Sequence, residues 1–404
     1  MYSVGKNVKQ YMLNWQFLPE RRGKRMIQIS TWQLYCLMML FEIGSTTVFG
    51  LGIDANEDAW LAILTAMFFG FLLLWVYTEI HRRYPERNLV EIIQQTFGNW
   101  LAIPLAMLYG LEFFWIATLN FREFGELISM ILLPNIPLSI ILIIFMLTVV
   151  YVLFLGCEVL ARMGEIMFPI VVFFIIATIF LISASGEVSL HRLQPVLGNG
   201  VGPVLKAAIP AVLNFPFGEM VVFFMYWPFA REKKLVRKTS MFVTATIGVL
   251  LSSVLALMVA VLGVPLVKIS TIPIYEVIKL INIMDIITNL DSIATVVMFI
   301  GGFFKMAIHF YGGILVYKTL LKVPRKHEKW LIVFFGTFWT WFSITYYPNL
   351  IFHRWAGLKV SISYFYSGFT VFELVCPVLL LIAIYLKDLQ RRIRKTNNCQ
   401  QEGS

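Results

Sequence analysis

Charged residues are scarce in this chain. Asp, Glu, Lys and Arg make up 14% of its 404 positions, against 59% hydrophobic residues, and the mean hydropathy is +0.78. That balance excludes an ordinary water-soluble domain, in which about a quarter of the residues carry charge. Cysteine is equally sparse: Cys36 and Cys376 fall inside apolar stretches, Cys157 at the end of one, and Cys399 close to the C-terminus. None has metal-ligand spacing and no disulfide framework follows. Phosphate-cradling loops, zinc spacings and a nucleophile with a matching base are missing too, so the residues argue for neither an enzyme, nor a metal centre, nor a cofactor. The alternating polar and apolar pattern of membrane barrels is also absent.

What the sequence does have is long apolar runs. A bilayer core of about 30 Å needs about 20 mostly apolar residues per helix. Such runs lie at roughly 30–53, 59–79, 99–132, 138–156, 163–184, 204–229, 239–264, 288–320, 330–347 and 362–386. They predict an all-α polytopic membrane protein of ten transmembrane helices. Residues 1–29 form an N-terminal tail, 30–386 the spanning domain and 387–404 a basic C-terminal tail. The third and eighth runs exceed what a bilayer needs and should tilt or project from it. Because residues 1–29 are polar and basic and lead straight into a full-length span, they read as retained and not as a cleaved signal. Between Ser185 and Pro203, four glycines mark a loop with room for a short surface helix.

The net charge of +10 is explained by topology and not by nucleic acid. With the spans alternating across a bilayer, 25 of the 33 Lys and Arg fall on one side. The other side receives only Arg192, Lys206, Lys268, Lys279, Arg354 and Lys359. Basic residues mark the cytoplasmic side, which places both termini there. Trp32, Tyr77, Trp100, Trp227, Trp330, Tyr346 and Tyr347 lie near span ends and read as interfacial anchors.

Two spans are interrupted near their middles. The first contains Glu42-Ile43-Gly44-Ser45-Thr46-Thr47-Val48-Phe49-Gly50, and the sixth contains Asn214-Phe215-Pro216-Phe217-Gly218-Glu219. Proline removes a backbone donor and glycine weakens a helix, so backbone polar groups are freed at membrane depth, where they must line a cavity or be buried in protein. Spans 1 and 6 head the two halves of a five-plus-five arrangement, and interruptions at equivalent places in two halves point to a binding site at the midplane. Half-helix N-termini offer N–H groups and unwound carbonyls offer acceptors, a combination suited to a zwitterion such as an amino acid. Ordinary Gly/Pro kinks are the alternative.

Ionisable residues within the spans form a second feature. Glu42, Glu112, Glu219, Lys305 and Glu373 sit near span centres, where facing lipid costs about 2.5–3.5 kcal/mol for a central Asp, Lys or Arg, so they are expected to converge inside the bundle. Glu112, Glu123 and Glu126 share one stripe of span 3, and Arg122 stands four residues before Glu126. The stripe reads either as a hydrated or proton-conducting path or as structural ion pairs. Lys305 follows Gly301-Gly302, which let a neighbouring helix approach. It can bridge to Glu42 or Glu219, or occupy the place of a coupling cation. His309, one turn on, reads more simply as a core residue.

Several stretches resemble one known family. These are Phe41-Glu42-Ile43-Gly44-Ser45, Gly50-Leu51-Gly52-Ile53-Asp54-Ala55 with Asp58-Ala59-Trp60-Leu61-Ala62, and Arg83-Tyr84-Pro85 with Asn88-Leu89-Val90-Glu91-Ile92. Phe124-Gly125-Glu126-Leu127-Ile128 and Gly301-Gly302-Phe303-Phe304-Lys305 continue the likeness. The pattern is similar to the B subunits of spore germinant receptors. That resemblance implies the inverted-repeat fold of the amino acid-polyamine-organocation superfamily, with helices 1 and 6 broken. It also implies the spore inner membrane, an A subunit and a lipoprotein C subunit as partners, and a small germinant bound where helices 1 and 6 unwind. Carried onto this chain, the implied ligand-binding residues are Gly44, Ser45, Thr46, Phe215, Phe217 and Gly218. The run from Asp285 to Asp291 departs from a more basic version associated with the family. A proton-coupled amino-acid transporter on the same fold is the competing expectation, and an ion-release channel a third.

Overall fold

A computed structural model describes residues 28–280, 290–362 and 368–401. Most of the Asp285–Asp291 run lies outside the described residues. Nearly everything described is helical, and no strand occurs among the described residues. Each expected span falls on a helical element, and the elements keep those numbers here. Eight are long and apolar enough to cross a bilayer. The other two are helices 1 and 9. Helix 1 (Thr31–Ile43) stops after 13 residues, and helix 9 (Glu328–Tyr346) is diluted by a charged first turn and by Trp and Thr residues.

Helix 1 begins with a reciprocal cap in which Ser30 and Gln33 each accept from the other's backbone N–H at 3.1 Å. It stops at Gly44 in mid-bundle. The Thr46 hydroxyl donates to the carbonyls of Glu42 and, at 2.9 Å, Ile43, and Thr47 donates to Ile43 O at 3.4 Å. Side-chain hydroxyls thus take the acceptors that a continuing helix would have used. Helix 6 (Val201–Met225) is interrupted twice. Ile209 (φ −127°, ψ 125°) and Phe215 (φ −119°, ψ 106°) are extended, and each precedes a proline, whose ring clashes with a helical residue before it.

Burial sorts the helices into layers. The apolar window of helix 6 is 89% buried and that of helix 8 (Leu290–Leu320) 78%, whereas helix 5 (Cys157–Ala184) is only 22% buried. Helices 6 and 8 therefore form the centre with helices 1 and 3 (Asn99–Ile131). Helices 4 (Leu138–Leu155) and 5 turn bare apolar side chains such as Leu147 and Phe173 outward, as lipid contact requires.

Glycines on helix 8 set the central packing. A Cβ on Gly302 would strike the Phe124 ring of helix 3 at 2.1 Å, and one on Gly313 would meet Phe114 at 2.9 Å. Gly301 lies against Gly44 itself. Small residues let backbones approach where lipid supplies no hydrophobic drive to association.

Several boundaries differ from expectation. Short helices occupy Leu89–Phe97 and Pro273–Lys279. The former is capped by Asn88 and Glu91 reciprocally, a local signal that a span-length search passes over. Helix 7 (Val236–Ile269) runs past its expected end through a kink at Gly263, whose φ of +76° favours glycine. Helix 10 (Cys376–Gln401) continues through most of the expected tail. The 185–203 connection carries a short helical turn at Leu190–Leu193.

Candidate functional site: a cavity at the two helix breaks

The break in helix 1 and the break in helix 6 face one cavity of about 40 Å³. Ser45 and Phe49 come from the first, Phe215 and Glu219 from the second. Helix 3 closes one side with Ile116, Leu119, Asn120 and Glu123, and the segment before helix 10 supplies His353, Arg354, Gly357 and Phe369. Aromatic and aliphatic walls with a few convergent polar groups are the usual character of a small-molecule site. A second cavity of about 50 Å³, between helices 1, 5, 7 and 8 and the short helix Pro273–Lys279, is lined by apolar side chains and two threonines and offers a charged ligand no partner.

Of the six residues implied for ligand binding, Ser45 and Phe215 line the cavity. The other four lie away from it. Gly44 is where helix 8 closes on helix 1, since a Cβ there would meet the Lys305 side chain at 2.8 Å. Thr46 is engaged in ending helix 1. Phe217 packs on Gly70 of helix 2 (Ala59–Arg83). Gly218 abuts the Glu373 carboxylate, and its carbonyl accepts from Tyr77 Oη at 3.1 Å.

Ionisable residues of the spans do converge. Lys305 Nζ lies 2.5 Å from Glu219 Oε2, the partner choice being Glu219 and not Glu42. Glu42, Glu112 and Glu373 are buried within electrostatic reach of that pair, and their carboxylate oxygens have no hydrogen-bond partner among the described residues. Buried polar groups without partners call for an ion, a proton or water. The His309 ring lies 4.8 Å from that of Phe41, tilted against it, and its Nδ1 is 3.1 Å from Lys305 O.

The expected stripe on helix 3 divides. Glu112 joins the central group. Glu126 pairs with Arg122 at 2.7 Å, as its spacing predicts, and Arg122 also holds Ser343 O at 2.9 Å. Glu123 is taken by residues far along the chain: both oxygens receive the Arg354 guanidinium, and His353 Nε2 lies 3.3 Å away. Three expected interfacial anchors are instead buried. Tyr77 donates to Gly218 O on helix 6 and to Glu373 O just before helix 10, Trp227 stands beside His81, and Tyr347 meets His353 edge to face. Trp32, Trp100, Trp330 and Tyr346 are exposed, as anchors should be.

The sequence profile of the spore germination protein family matches residues 28–351. The chain belongs to that family. Spore germination protein KB of Bacillus subtilis (strain 168) is 31% identical over 368 residues, 91% of this chain and 97% of that one. Spore germination protein YndE of the same organism is 24% identical over 208 residues, 52% of this chain and 55% of its own length. Solved structures show the fold. A Na+-coupled sialic acid symporter superposes with a TM-score of 0.60 at 11% identity, covering 88% of this chain and 89% of that one. MhsT in complex with L-phenylalanine gives 0.55 at 14% identity, covering 89% and 99%. Family and fold together point to a non-enzymatic, multi-pass membrane protein of permease type.

For this spore germination protein, the polar and aromatic cavity residues to which the sequence reading gave no role at the site are Phe49, Asn120, His353, Arg354 and Phe369. Arg354 left one trace, being among the few basic residues on the sparsely charged side. Asn120 left another, as a polar residue one helical turn before Glu123.

Proposed function

We propose that this chain is the germinant-sensing subunit of a spore germinant receptor, binding a small nutrient, with an amino acid the best fit, between helices 1 and 6. The cavity carries the reading: it lies where two helices break and combines aromatic walls with charges of both signs. MhsT, which shares the fold, holds L-phenylalanine. Roughly 40 Å³ accommodates a few waters at about 10–15 Å³ each, so germinant binding selects a more open arrangement of the bundle. Ligand and opening are then linked: a tenfold preference for the open state supplies about 1.4 kcal/mol to the equilibrium that partner subunits sense. In this reading an A subunit and a lipoprotein C subunit are the partners, the spore inner membrane is the location, both termini are cytoplasmic and the halves are inverted five-helix repeats.

Spores carrying this subunit and its partners as the sole receptor test it. Loss of optical density on exposure to one class among amino acids, sugars and nucleosides supports sensing; silence across the panel with the complex assembled refutes it. A proton-coupled amino-acid transporter is the second reading, favoured by the unpartnered Glu42, Glu112 and Glu373 beside Lys305. It predicts concentrative uptake in proteoliposomes that an uncoupler abolishes.

A further inference from the structure

Beyond the two helix breaks, the cavity has a rim built from helix 3 and the segment before helix 10. Arg354 crosses that rim. Its Nη2 and Nε bond to the two oxygens of Glu123, its Nη1 to Thr271 O, and its guanidinium lies 5.3 Å from the Phe49 ring. An outer vestibule of about 320 Å³ lies on the far side, and Phe49, Phe215 and Arg354 belong to the walls of both spaces. These three side chains are therefore the partition. Phe49 and Phe215 meet edge to face at 6.1 Å, and the Glu123–Arg354 pair bridges helix 3 to the segment before helix 10.

A ligand that displaces Arg354 from the partition separates it from Glu123. Their side chains are only 5% and 18% exposed; His353 Nε2, 3.3 Å from Glu123, stays with the carboxylate, but buried charges that lose a guanidinium–carboxylate contact are strongly disfavoured unless another charge replaces it. A sugar or nucleoside carries nothing to replace either. An α-amino acid carries both: a carboxylate that matches the guanidinium fork and an ammonium that matches the Glu123 carboxylate. One helical turn below Glu123, Asn120 directs its Nδ2 to Ile116 O at 2.9 Å, while its buried Oδ1 lacks a hydrogen-bond partner. Asn120 lines the cavity, and its unpartnered oxygen can accept one more N–H.

We propose that Glu123, Arg354 and Asn120 form the head-group subsite. In the empty protein Glu123 and Arg354 neutralise each other; in the bound protein the ligand's carboxylate takes Arg354, and its ammonium takes Glu123 and Asn120 Oδ1. The pair is a stand-in for the ligand, and selection for zwitterions is built into the partition. This inference rests on the reading that the cavity takes the germinant.

Spores with this receptor alone, carrying the parent chain, Arg354→Gln, Glu123→Gln or Asn120→Leu, test it. The probes are L-alanine, L-valine and L-leucine, their carboxamides, and the deaminated acids propanoate, 3-methylbutanoate and 4-methylpentanoate. The parent should prefer amino acid over either analogue by at least about tenfold in half-saturating concentration, since a site built for a polar group rejects molecules lacking it. Arg354→Gln should bring the amide to within about twofold of the amino acid while the deaminated acid stays discriminated, and Glu123→Gln should do the reverse. Should either charge variant be missing from spore membranes, Asn120→Leu, which leaves the ion pair intact, is expected to narrow the deaminated-acid ratio alone. Equal shifts of all three potencies, or unchanged ratios with receptor present, overturn the subsite. A parent receptor that answers only sugars or nucleosides overturns it while leaving the sensing role standing; one that answers nothing overturns the sensing role itself.

Discussion

Lys305 Nζ and Glu219 Oε2 are 2.5 Å apart at the centre of the bundle, joining helix 8 to the half of helix 6 beyond its break, with both side chains out of contact with the exterior. The ammonium also stands 4.3 Å from the centre of the Phe215 ring, so the pair is continuous with the cavity wall. Three more carboxylates, Glu42, Glu112 and Glu373, are buried nearby. Among the described residues, one cation thus serves a group of four acids. Any rearrangement of helix 6 on ligand binding changes the surroundings of this pair.

Removing one member should be worse than removing both. Lys305→Met leaves Glu219 buried without its partner, a change expected to cost about 3–5 kcal/mol, whereas replacing a buried pair by apolar residues of like volume is often neutral. Apparent Tm of the purified protein in detergent should fall sharply for Lys305→Met and recover by at least half in Lys305→Met/Glu219→Met. A double variant no more stable than the single one would show that Lys305 mainly serves the other carboxylates.

Packing at helix 8 gives a second test. A Cβ on Gly302 would lie 2.1 Å from the Phe124 ring, while one on Gly202 meets nothing within 4 Å. Gly302→Ala should therefore lose about 1–3 kcal/mol from overpacking, and Gly202→Ala should stay within about 0.5 kcal/mol of the parent. Adding Phe124→Leu to Gly302→Ala should restore part of the loss, read in the same melting assay.

How much of this could be read from the sequence depends on how local the cause is. Proline acts on the residue before it, so the break at Phe215 was legible; the interruption of helix 1 after Glu42-Ile43-Gly44 was legible too, but not the part that Thr46 and Thr47 play in ending it. Helix 3's Arg122–Glu126 pair followed from spacing alone. What escaped depended on distant parts of the chain meeting. Glu123 and Arg354 are 231 residues apart, and no periodicity on helix 3 names its partner. The same holds for Lys305, whose choice of Glu219 over Glu42 is fixed by how helices 1 and 6 seat against helix 8. Side-chain direction inside a broken helix also escaped, because an extended residue at the break removes the 3.6-residue rule that would assign Phe215 and Phe217 to faces.

On the proposed sensing role, that last pair separates binding from packing. Phe215 lines the cavity, and Phe217, two residues on, fills the space left by Gly70 on helix 2. Phe217→Ala should lower stability by about 3 kcal/mol or more, yet leave the half-saturating germinant concentration unchanged per assembled receptor. Phe215→Ala should raise that concentration by roughly tenfold, equivalent to about 1.4 kcal/mol, with a smaller loss of Tm. Dose–response curves normalised to receptor amount in spore membranes distinguish the two. Equal effects on potency would mean that the break region responds as one unit.

At the opposite end of the bundle, a single carboxylate holds three helices together. Glu79 on helix 2 is buried and receives Arg82 at 2.8 Å, Arg83 at 3.3 Å and, from helix 7, Arg237 at 2.6 Å. Arg83 continues to Asp388 on helix 10 at 2.5 Å and lies over the Tyr385 ring. Three guanidiniums converge on Glu79, so Glu79→Gln removes the charge that lets them approach one another, and truncating one side of a hydrogen-bonded buried charge network costs about 2–5 kcal/mol. Asp388 is 36% exposed, and Asp388→Asn should cost less than about 1 kcal/mol. Raising salt distinguishes the two further. Exposed pairs are screened within a Debye length of about 10 Å at 0.1 M, so added salt should erase the Asp388→Asn difference and leave most of the Glu79→Gln difference in Tm. A Glu79→Gln protein as stable as the parent would mean that helices 2, 7 and 10 are held at this end by apolar packing alone.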